Sequence, residues 1–484
     1  MRDAAELSML DWRGLPTDAL ASWPADRPLL MIHSGRSHAR WARWSILASP
    51  VVRFQFDGCS RWIGSPPDAL AKIKFTHHPL ADLDAVIAAT RCNPDAPAQG
   101  LPFAGGWIGY FSYDLGRWIE PRAQSVFAVD DRRWPLIDLA WCPDALAFDH
   151  EDQQWWAAGE MREAQWLVAA IDARQREWGS SPRGFTSGQL RALSDDQEYM
   201  AIVRRTIEYI RAGDIFQANL ARRFTASFSG SPRELALAAM HESKAWYGAY
   251  LELPGLSHET SHPDRWVISL SPELFLEVNA NGRVITRPIK GTLPASAHPD
   301  ELARSAKDAA ELHMIVDLMR NDLGRVCEIG SVRVNEARII ESHPTVHHGV
   351  GEVTGQMRSN ATFVDLLRAT FPGGSVTGAP KIRAMQVIDE LEPVRRGPYC
   401  GAIGYIGDHG IACFNIAIRT ALLQGRSVDG RCDEASGTLD YSAGAGIVAD
   451  SQPESECAES LAKLAVLQLA MRRFREPVPA GAQG

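Results

Sequence analysis

The sequence predicts an α+β fold, because strand-like segments cluster together and helix-like segments cluster together instead of alternating one by one. Its 484 residues are 45% hydrophobic and 23% charged, which is typical of a globular protein with a large apolar core. Short apolar runs broken by turn residues indicate strands, and longer runs with apolar residues every three or four positions indicate amphipathic helices.

The predicted elements follow the chain in this order. The strand-like segments are PLLMIHSG and VVRFQF in the first half and WVISLSPELFLEV, GRVITRPIKGT and GAIGYIGDHGIACFNIAIRT in the second. The helix-like segments are ELARSAKDAAELHMIVDLMRNDL, TFVDLLRATF, PKIRAMQVIDELEP and PESECAESLAKLAVLQLAMRRF. A stretch rich in Ser, Gly and Arg, from Arg174 to Leu193, is predicted as a linker. It divides the chain into an N-terminal region, 1–185, and a C-terminal region, 190–470, followed by a disordered tail, 476–484.

Charge and composition exclude several classes of function. The formal net charge is −9 and no basic run occurs, so we expect no nucleic-acid partner. No apolar window is long enough for a membrane helix, and the N-terminus lacks the apolar stretch of a signal peptide. The eight cysteines form no CxxC pair, which is typical of a reducing compartment. We therefore expect a cytoplasmic protein without a membrane or nucleic-acid partner.

Two predicted helices each carry carboxylates on one stripe of their surface. The residues on the stripe are Asp308, Glu311, Ile315 and Leu318 in the first helix and Glu456, Glu459 and Lys463 in the second. Two such stripes that meet would offer the oxygen ligands that Mg²⁺ prefers. Most glutamate pairs of this kind lie on solvated helix faces, so the pattern alone leaves both interpretations open.

Lys290 lies in TRPIKGT, between a proline and a glycine at the end of a predicted strand. A lysine that such a stiff backbone holds in a dry cleft would lose its proton more easily and become a nucleophile. An exposed loop lysine is the other interpretation. The glycine-rich FPGGSVTGAPK is not a phosphate-binding loop, because Ala379 and Pro380 stand where Lys and Ser or Thr are required. Tyr399, Arg419 and the glycines at 444 and 446 suit an organic anion, although each signal is weak alone.

Together these segments resemble the chorismate-utilising enzymes, over roughly residues 190 to 470. The ordered motifs that carry the resemblance are GDIFQANLARRF, SPELFLEV, TRPIKGT, KDAAELHMIVDLMRNDLGRV, TVHHGVGEVTG, FPGGSVTGAPK, RGPYCGAIGY and GAGIVADSQPESECAES. In the N-terminal region, LPFAGGWIGYFSYDLGR extends it. The resemblance implies one fold of two packed antiparallel sheets wrapped by helices, with the active site between them.

The resemblance also implies roles for individual residues. The expected Mg²⁺ ligands are Glu311 and Glu459, supported by Asp308 and Glu456. The expected substrate-binding residues are Thr292, His348, Tyr399, Arg419, Gly444, Ala445, Gly446, Lys463 and Gln217. Glu273 is expected to be the acid that protonates the departing 4-hydroxyl, and Lys290 the nucleophile.

Two positions distinguish the branches of this family. In the water-adding branch a lysine stands at the position of Gln217 and activates water, which glutamine cannot do. In the anthranilate-forming branch alanine usually replaces Lys290. The resemblance therefore implies that Lys290 attacks C2 of chorismate as the 4-hydroxyl leaves, and that ammonia then enters at C4 and expels the lysine. A glutamine amidotransferase subunit is expected to supply the ammonia, on the route to 4-aminobenzoate and folate. The alternatives are the anthranilate-forming branch and a non-catalytic chorismate- or partner-binding subunit.

Overall fold

The computed structural model describes residues 7–91, 101–123, 127–159, 161–178, 184–255, 262–343 and 346–474, so the predicted tail, 476–484, lies outside the described residues. The strands of the first half are β1 (Leu7–Leu10), β2 (Leu30–His33), β3 (Trp44–Ala48), β4 (Val52–Phe56), β5 (Ser60–Ile63), β6 (Gly106–Phe111), β7 (Ile137–Cys142), β8 (Ala145–Asp149), β9 (Gln154–Ala158), β10 (Phe185–Ser187), β11 (Arg191–Ala192) and β12 (Gln217–Gly230). The later strands are β13 (Tyr247–Leu253), β14 (Asp264–Ser271), β15 (Leu274–Val278), β16 (Arg283–Arg287), β17 (Ile289–Pro294), β18 (Arg333–Ser342), β19 (Val346–Gln356), β20 (Gly378–Ala379), β21 (Ala402–Gly407), β22 (Ala412–Ile416), β23 (Thr420–Val428) and β24 (Arg431–Ile447).

The helices lie between and around these strands. They are α1 (Pro16–Ser22), α2 (Asp68–Ala71), α3 (Pro79–Thr90), α4 (Gly116–Ile119), α5 (Met161–Trp178), α6 (Asp196–Arg211), α7 (Pro232–Ser243), α8 (Pro299–Arg304), α9 (Ala306–Gly324), α10 (Phe363–Thr370), α11 (Lys381–Leu391), α12 (Pro453–Ala462) and α13 (Ala465–Arg472). Several begin at side-chain caps, such as the capping box of Asp195 and Glu198 at α6.

The strands form two large antiparallel sheets. Sheet 1 has the strand order β1-β9-β8-β3-β2-β13-β14-β23-β24-β12-β10, with β11 and β20 also paired to β12. Sheet 2 has the order β17-β19-β16-β15-β22-β21-β6-β7-β4-β5, with β18 also paired to β19. The predicted α+β fold of two antiparallel sheets with surrounding helices is confirmed.

Both sheets contain strands from the N-terminal and the C-terminal regions. In sheet 1 the early strands join the later ones where β2 pairs with β13, and in sheet 2 where β6 pairs with β21. The N-terminal region thus supplies a continuous part of each sheet. The division into regions 1–185 and 190–470 stays a prediction.

Alternating side chains separate the core into layers. Ile108 of β6 packs between the sheets with Ala249 of β13, whereas Trp107 and Phe111 face the helices outside sheet 2. This alternation is what a strand covered on both faces requires. The outer face of sheet 1 packs against α1, α5, α7 and α13.

The structure differs from the predicted elements at two kinds of position. The prediction of a linker from Arg174 to Leu193 is wrong in part. Arg174 lies within α5, and two short strands of this stretch, β10 and β11, pair with β12. The predicted helix over 301–323 is interrupted at Ser305, whose side chain caps α9, and the last predicted helix is divided into α12 and α13. Within the described residues, no helix is both long enough and apolar enough to cross a membrane.

Candidate active site

Lys290 lies on β17, at the edge of sheet 2, and its Nζ donates to the backbone oxygen of Ser375 over 3.2 Å. The next residue, Gly291, has φ +81°, and a Cβ there would stand 3.0 Å from the Cβ of Asp308 on α9. Only glycine allows this close approach at a positive φ. The TRPIKGT segment is therefore pressed against the carboxylate helix that the sequence predicted.

Glu273, between β14 and β15, is buried beside Lys290. Its Oε1 accepts a hydrogen bond of 2.6 Å from the hydroxyl of Ser375. Burial raises the pKa of Glu273 to about 7, although the Ser375 hydroxyl and Lys290 both act to lower it. Burial lowers the pKa of Lys290, although the nearby carboxylates of Glu311 and Glu273 act to raise it. Burial therefore favours the neutral form of both groups, the acid of Glu273 and the amine of Lys290.

Glu273→Gln is expected to raise the melting temperature above pH 7 and to change it little below pH 4.5. The folded protein holds the Glu273 proton with a pKa of about 7, against 4.5 for an unperturbed glutamate, so wild-type stability falls as pH rises between these values. The pKa difference corresponds to roughly 3 kcal/mol at most. Thermal melts from pH 4 to 8 measure the effect, and the matched control is Glu454→Gln, whose carboxylate side chain is 71% exposed. A melting difference that stays constant with pH would contradict the raised pKa.

The predicted metal-binding carboxylates lie on α9 and α12, close to Lys290. Burial raises the pKa of Glu311, and the carboxylates of Asp308 and Glu456 add to this effect. Burial also raises the pKa of Glu456, to which Glu459 adds. The four side chains therefore form one group of repelling negative charges, which a divalent cation would stabilise.

The four carboxylates do not form a closed coordination shell. Glu459 is 53% exposed and pairs with Lys463 at 2.7 Å, and Glu311 lies 4.0 Å from Lys307. In the part of the chain that the structure describes, no group of three or more His, Cys, Asp or Glu side chains could by itself hold a metal ion. Mg²⁺ commonly uses one or two carboxylates together with substrate oxygens and water, so this donor set fits it.

The glycine segment of β24 lies opposite these helices. Lys463 Nζ donates to the backbone oxygen of Gly444 over 2.6 Å, which fixes the end of α12 against sheet 1. A Cβ on Gly446 would stand 2.7 Å from the Nε2 of Gln217 and 3.1 Å from the Nζ of Lys290. Gly446 therefore lies against Gln217 of sheet 1 and Lys290 of sheet 2, and Ala445 between the two glycines continues the strand.

Gln217 is fully buried at the start of β12. Neither its Nε2 nor its Oε1 has a hydrogen-bond partner among the described residues. An unsatisfied buried amide costs free energy, which a ligand with polar groups at this position would recover.

His348 and Arg419 lie together in another part of the site. Thr292 Oγ1 and His348 Nδ1 are 2.9 Å apart across paired strands β17 and β19. Burial lowers the pKa of His348 to about 3, and Arg419 and His343 add to this effect. Arg419 has φ +50°, and no carboxylate of the described residues pairs with it. A partly buried guanidinium without an anionic partner is suited to the carboxylate of a ligand.

Tyr399 is buried beside Arg396 and Glu392, which form an ion pair. The adjacent Cys400 interacts electrostatically with Glu273, whereas the charged groups that act on Tyr399 are Arg396 and Glu392.

Ser375 was missed by the sequence analysis. It joins Glu273 to Lys290, because its hydroxyl donates to the carboxylate and its carbonyl accepts from the ammonium or amine. It belongs to FPGGSVTGAPK, where the sequence drew attention to the glycines only. A hydroxyl side chain within a glycine-rich segment was the signal in the sequence that could have identified this residue.

The assembled groups can support one kind of chemistry. A buried amine, a carboxylic acid, a cluster of carboxylates for a divalent cation and an arginine that no described carboxylate pairs with together suit a small organic acid. Such a site can activate a leaving group by protonation and replace it through a covalent intermediate.

Comparisons with known proteins agree with this site. The sequence matches the family described as chorismate binding enzyme over residues 35–468. It is 36% identical to aminodeoxychorismate synthase component 1 of Escherichia coli, covering 90% of this chain and 91% of the relative, and 39% identical to that of Klebsiella aerogenes, covering 94% and 96%. The structure resembles the crystal structure of anthranilate synthase component I from Streptococcus pneumoniae with a TM-score of 0.71 and 28% identity, covering 89% of this chain and 94% of that one.

Proposed function

Because the chain belongs to the chorismate-binding enzyme family, we propose that it catalyses the aminodeoxychorismate synthase reaction. In this reaction chorismate and ammonia give 4-amino-4-deoxychorismate and water. The observation that carries the proposal is Lys290, whose Nζ lies inside the site, beside Glu273 and opposite Gly446. Alanine, which usually stands there in the anthranilate-forming branch, would leave this position without an amine.

Lys290 and Glu273 divide the reaction into two displacements. The neutral Lys290 amine forms a bond to C2 while both conjugated ring double bonds shift and the C4–O bond breaks, and Glu273 gives its proton to the departing hydroxyl, which leaves as water. Ammonia then forms a bond to C4, both double bonds shift back, and the C2–N bond to Lys290 breaks. The new C4 ammonium group gives a proton back to Glu273, which restores the acid. The amine therefore enters at the carbon that the hydroxyl left, and the covalent intermediate replaces one difficult step with two easier ones.

The remaining residues bind and orient the substrate. Arg419 is the group best suited to a chorismate carboxylate, because it is partly buried and has no carboxylate partner among the described residues. Thr292 and the neutral His348 offer hydrogen bonds along the ring. Tyr399 and the backbone of 444–446 complete the pocket, and Lys463 holds that backbone in place. Gln217 offers its unpaired amide to the incoming nucleophile or to the substrate.

Glu311 and Glu459 would hold Mg²⁺, with Asp308 and Glu456 supporting them. The support for this assignment is the shared negative charge of the two helices: burial raises the pKa of both Glu311 and Glu456, and neighbouring carboxylates add to this effect. When bound, Mg²⁺ would neutralise a substrate carboxylate and act as a Lewis acid.

We further propose that a glutamine amidotransferase subunit supplies the ammonia in the cell. The relatives are named as component 1 of their enzymes, which supports a second component for this chain. The product would then be a precursor of 4-aminobenzoate and folate.

Mass spectrometry of the products tests the function. The purified chain is incubated with chorismate, Mg²⁺ and ammonium, and a parallel sample also contains an aminodeoxychorismate lyase. We expect 4-aminobenzoate only in the sample with the lyase. Anthranilate without the lyase would move the chain to the anthranilate-forming branch, and unchanged chorismate in both samples would favour a non-catalytic subunit.

A further inference from the structure

A second cavity, of about 730 Å³, lies on the outer face of sheet 1. It is enclosed by the start of α1, by α7, by the ends of β2 and β8, and by the end of α13. None of the active-site residues lines it. Its volume falls in the range of small-molecule sites, and the proposed reaction makes no use of it.

The floor of the cavity is polar and buried. His33 Nδ1 lies 3.0 Å from the hydroxyl of Ser45, and this hydroxyl lies 2.7 Å from the Nε2 of His150. Burial lowers the pKa of His33 to about 3 and also lowers the pKa of His150, so both imidazoles are neutral at physiological pH. The floor therefore offers hydrogen bonds without a charge.

The rim carries the positive charge. Lys244 ends α7 at φ +46° and, among the described residues, has no carboxylate partner. Arg473, across the opening, is already engaged by Glu242 at 2.8 Å and by His241 at 2.7 Å. The acidic wall residue, Glu234, has an interaction of its own. Lys244 is therefore the positively charged side chain that is best placed to pair with an anionic ligand.

The walls between rim and floor are apolar. Phe148 and Met240 are almost completely buried yet line the cavity, and Leu237 and Phe474 complete this surface. A ligand of the cavity must therefore have an apolar body, because apolar contact area is the main source of affinity that such walls can offer.

We propose that this cavity binds a small monocarboxylate with an aromatic or aliphatic body. The body packs against Phe148 and Met240, the carboxylate pairs with Lys244, and the polar floor at His33 and His150 receives any further hydroxyl or carbonyl group. A charged hydrogen bond to a carboxylate is the contribution expected of Lys244, which has no carboxylate partner among the described residues.

Calorimetric titration of the full chain with sodium 3-phenylpropionate tests the site. We expect binding with a Kd at or below about 1 mM, and clearly weaker binding of the uncharged 3-phenylpropan-1-ol. Lys244→Asn should weaken binding about tenfold or more, because it removes the charge while asparagine tolerates the positive φ. Leu237→Trp should weaken binding by narrowing the cavity at its apolar wall.

Arg419→Met serves as the matched control, because it removes the anion-binding group of the active site. Binding of 3-phenylpropionate should persist in this variant. Three results would overturn the proposal: no binding to the wild type, equal affinity in Lys244→Asn and the wild type, or loss of binding in Arg419→Met with full affinity in Lys244→Asn. Lys244 is exposed at a helix end, so its variant keeps the test valid even if Leu237→Trp fails to fold.

Discussion

Lys290→Ala is expected to lower the rate of 4-amino-4-deoxychorismate formation at least about a thousandfold, as removal of a covalent nucleophile commonly does. Without the amine, C2 is open to direct attack by ammonia, so the remaining turnover should shift toward the anthranilate type of product. Product-resolved mass spectrometry with chorismate, Mg²⁺ and ammonium measures both effects in one experiment.

The matched control is Lys290→Arg. Arginine keeps a positive charge near Glu273 and Glu311, but it stays protonated and cannot act as a nucleophile. Loss of activity in both variants, with chorismate affinity close to the wild type, would assign the role to the amine and not to the charge. Rapid quenching of the wild type without ammonia should yield an intact-protein adduct at Lys290 with the mass of chorismate minus water. Aminodeoxychorismate formation at the wild-type rate in Lys290→Ala would exclude the nucleophile.

Hydrophobic periodicity was sufficient to predict the helices that carry the carboxylates. Apolar residues at helical spacing located α9 and α12. Of the residues on their stripes, Glu311 is partly buried and Glu456 is buried, which the pattern alone had left open. The break at Ser305 was available in principle, because serine followed three residues later by Asp308 is an N-cap pattern. Periodicity alone could not show it, since the apolar stripe continues through the break.

Contacts between distant segments could not be derived from spacing. Glu459 belongs to the same stripe as Glu456, yet it is half exposed and turned toward Lys463. Ser375 reaches Glu273 only because the turn after α10 packs onto the start of β15. Strands β10 and β11 are too short and too polar to be recognised, and their pairing with the long strand β12 defines them. For these features tertiary packing decides what the local sequence leaves open.

The cavity beside α7 also lay beyond the sequence analysis. Its floor combines His33 of β2 with His150 after β8, which are separated by more than a hundred residues. Neither histidine belongs to the motifs that carry the family resemblance, and their shared contact, Ser45, lies on a third segment. Sites that the family motifs do not cover become visible only when the sheet is assembled.

Glu459→Gln and Glu311→Gln are expected to abolish magnesium-dependent activity, because each removes a charged oxygen ligand from the shared acidic group. Loss of even an outer partner of a bound metal commonly costs about 10- to 100-fold in affinity, so loss of a direct ligand should cost at least about 100-fold. Magnesium titrations of aminodeoxychorismate formation measure the effect. A second readout needs no turnover: Mg²⁺ together with chorismate should raise the melting temperature of the wild type and leave both variants unchanged.

Glu454→Gln is the matched control, because Glu454 lies on α12 as well but is 71% exposed and pairs with Arg204 at 3.5 Å. The two proposed ligands differ in their surroundings, and this difference predicts different stabilities without metal. Glu311 is only 15% exposed and its pKa is raised by burial, so Glu311→Gln should stabilise the metal-free protein. Glu459→Gln instead removes the partner of Lys463, so it should not raise the stability of the metal-free protein. An unchanged magnesium titration in either variant would remove that residue from the metal site, while the other assignment would remain supported by its own titration.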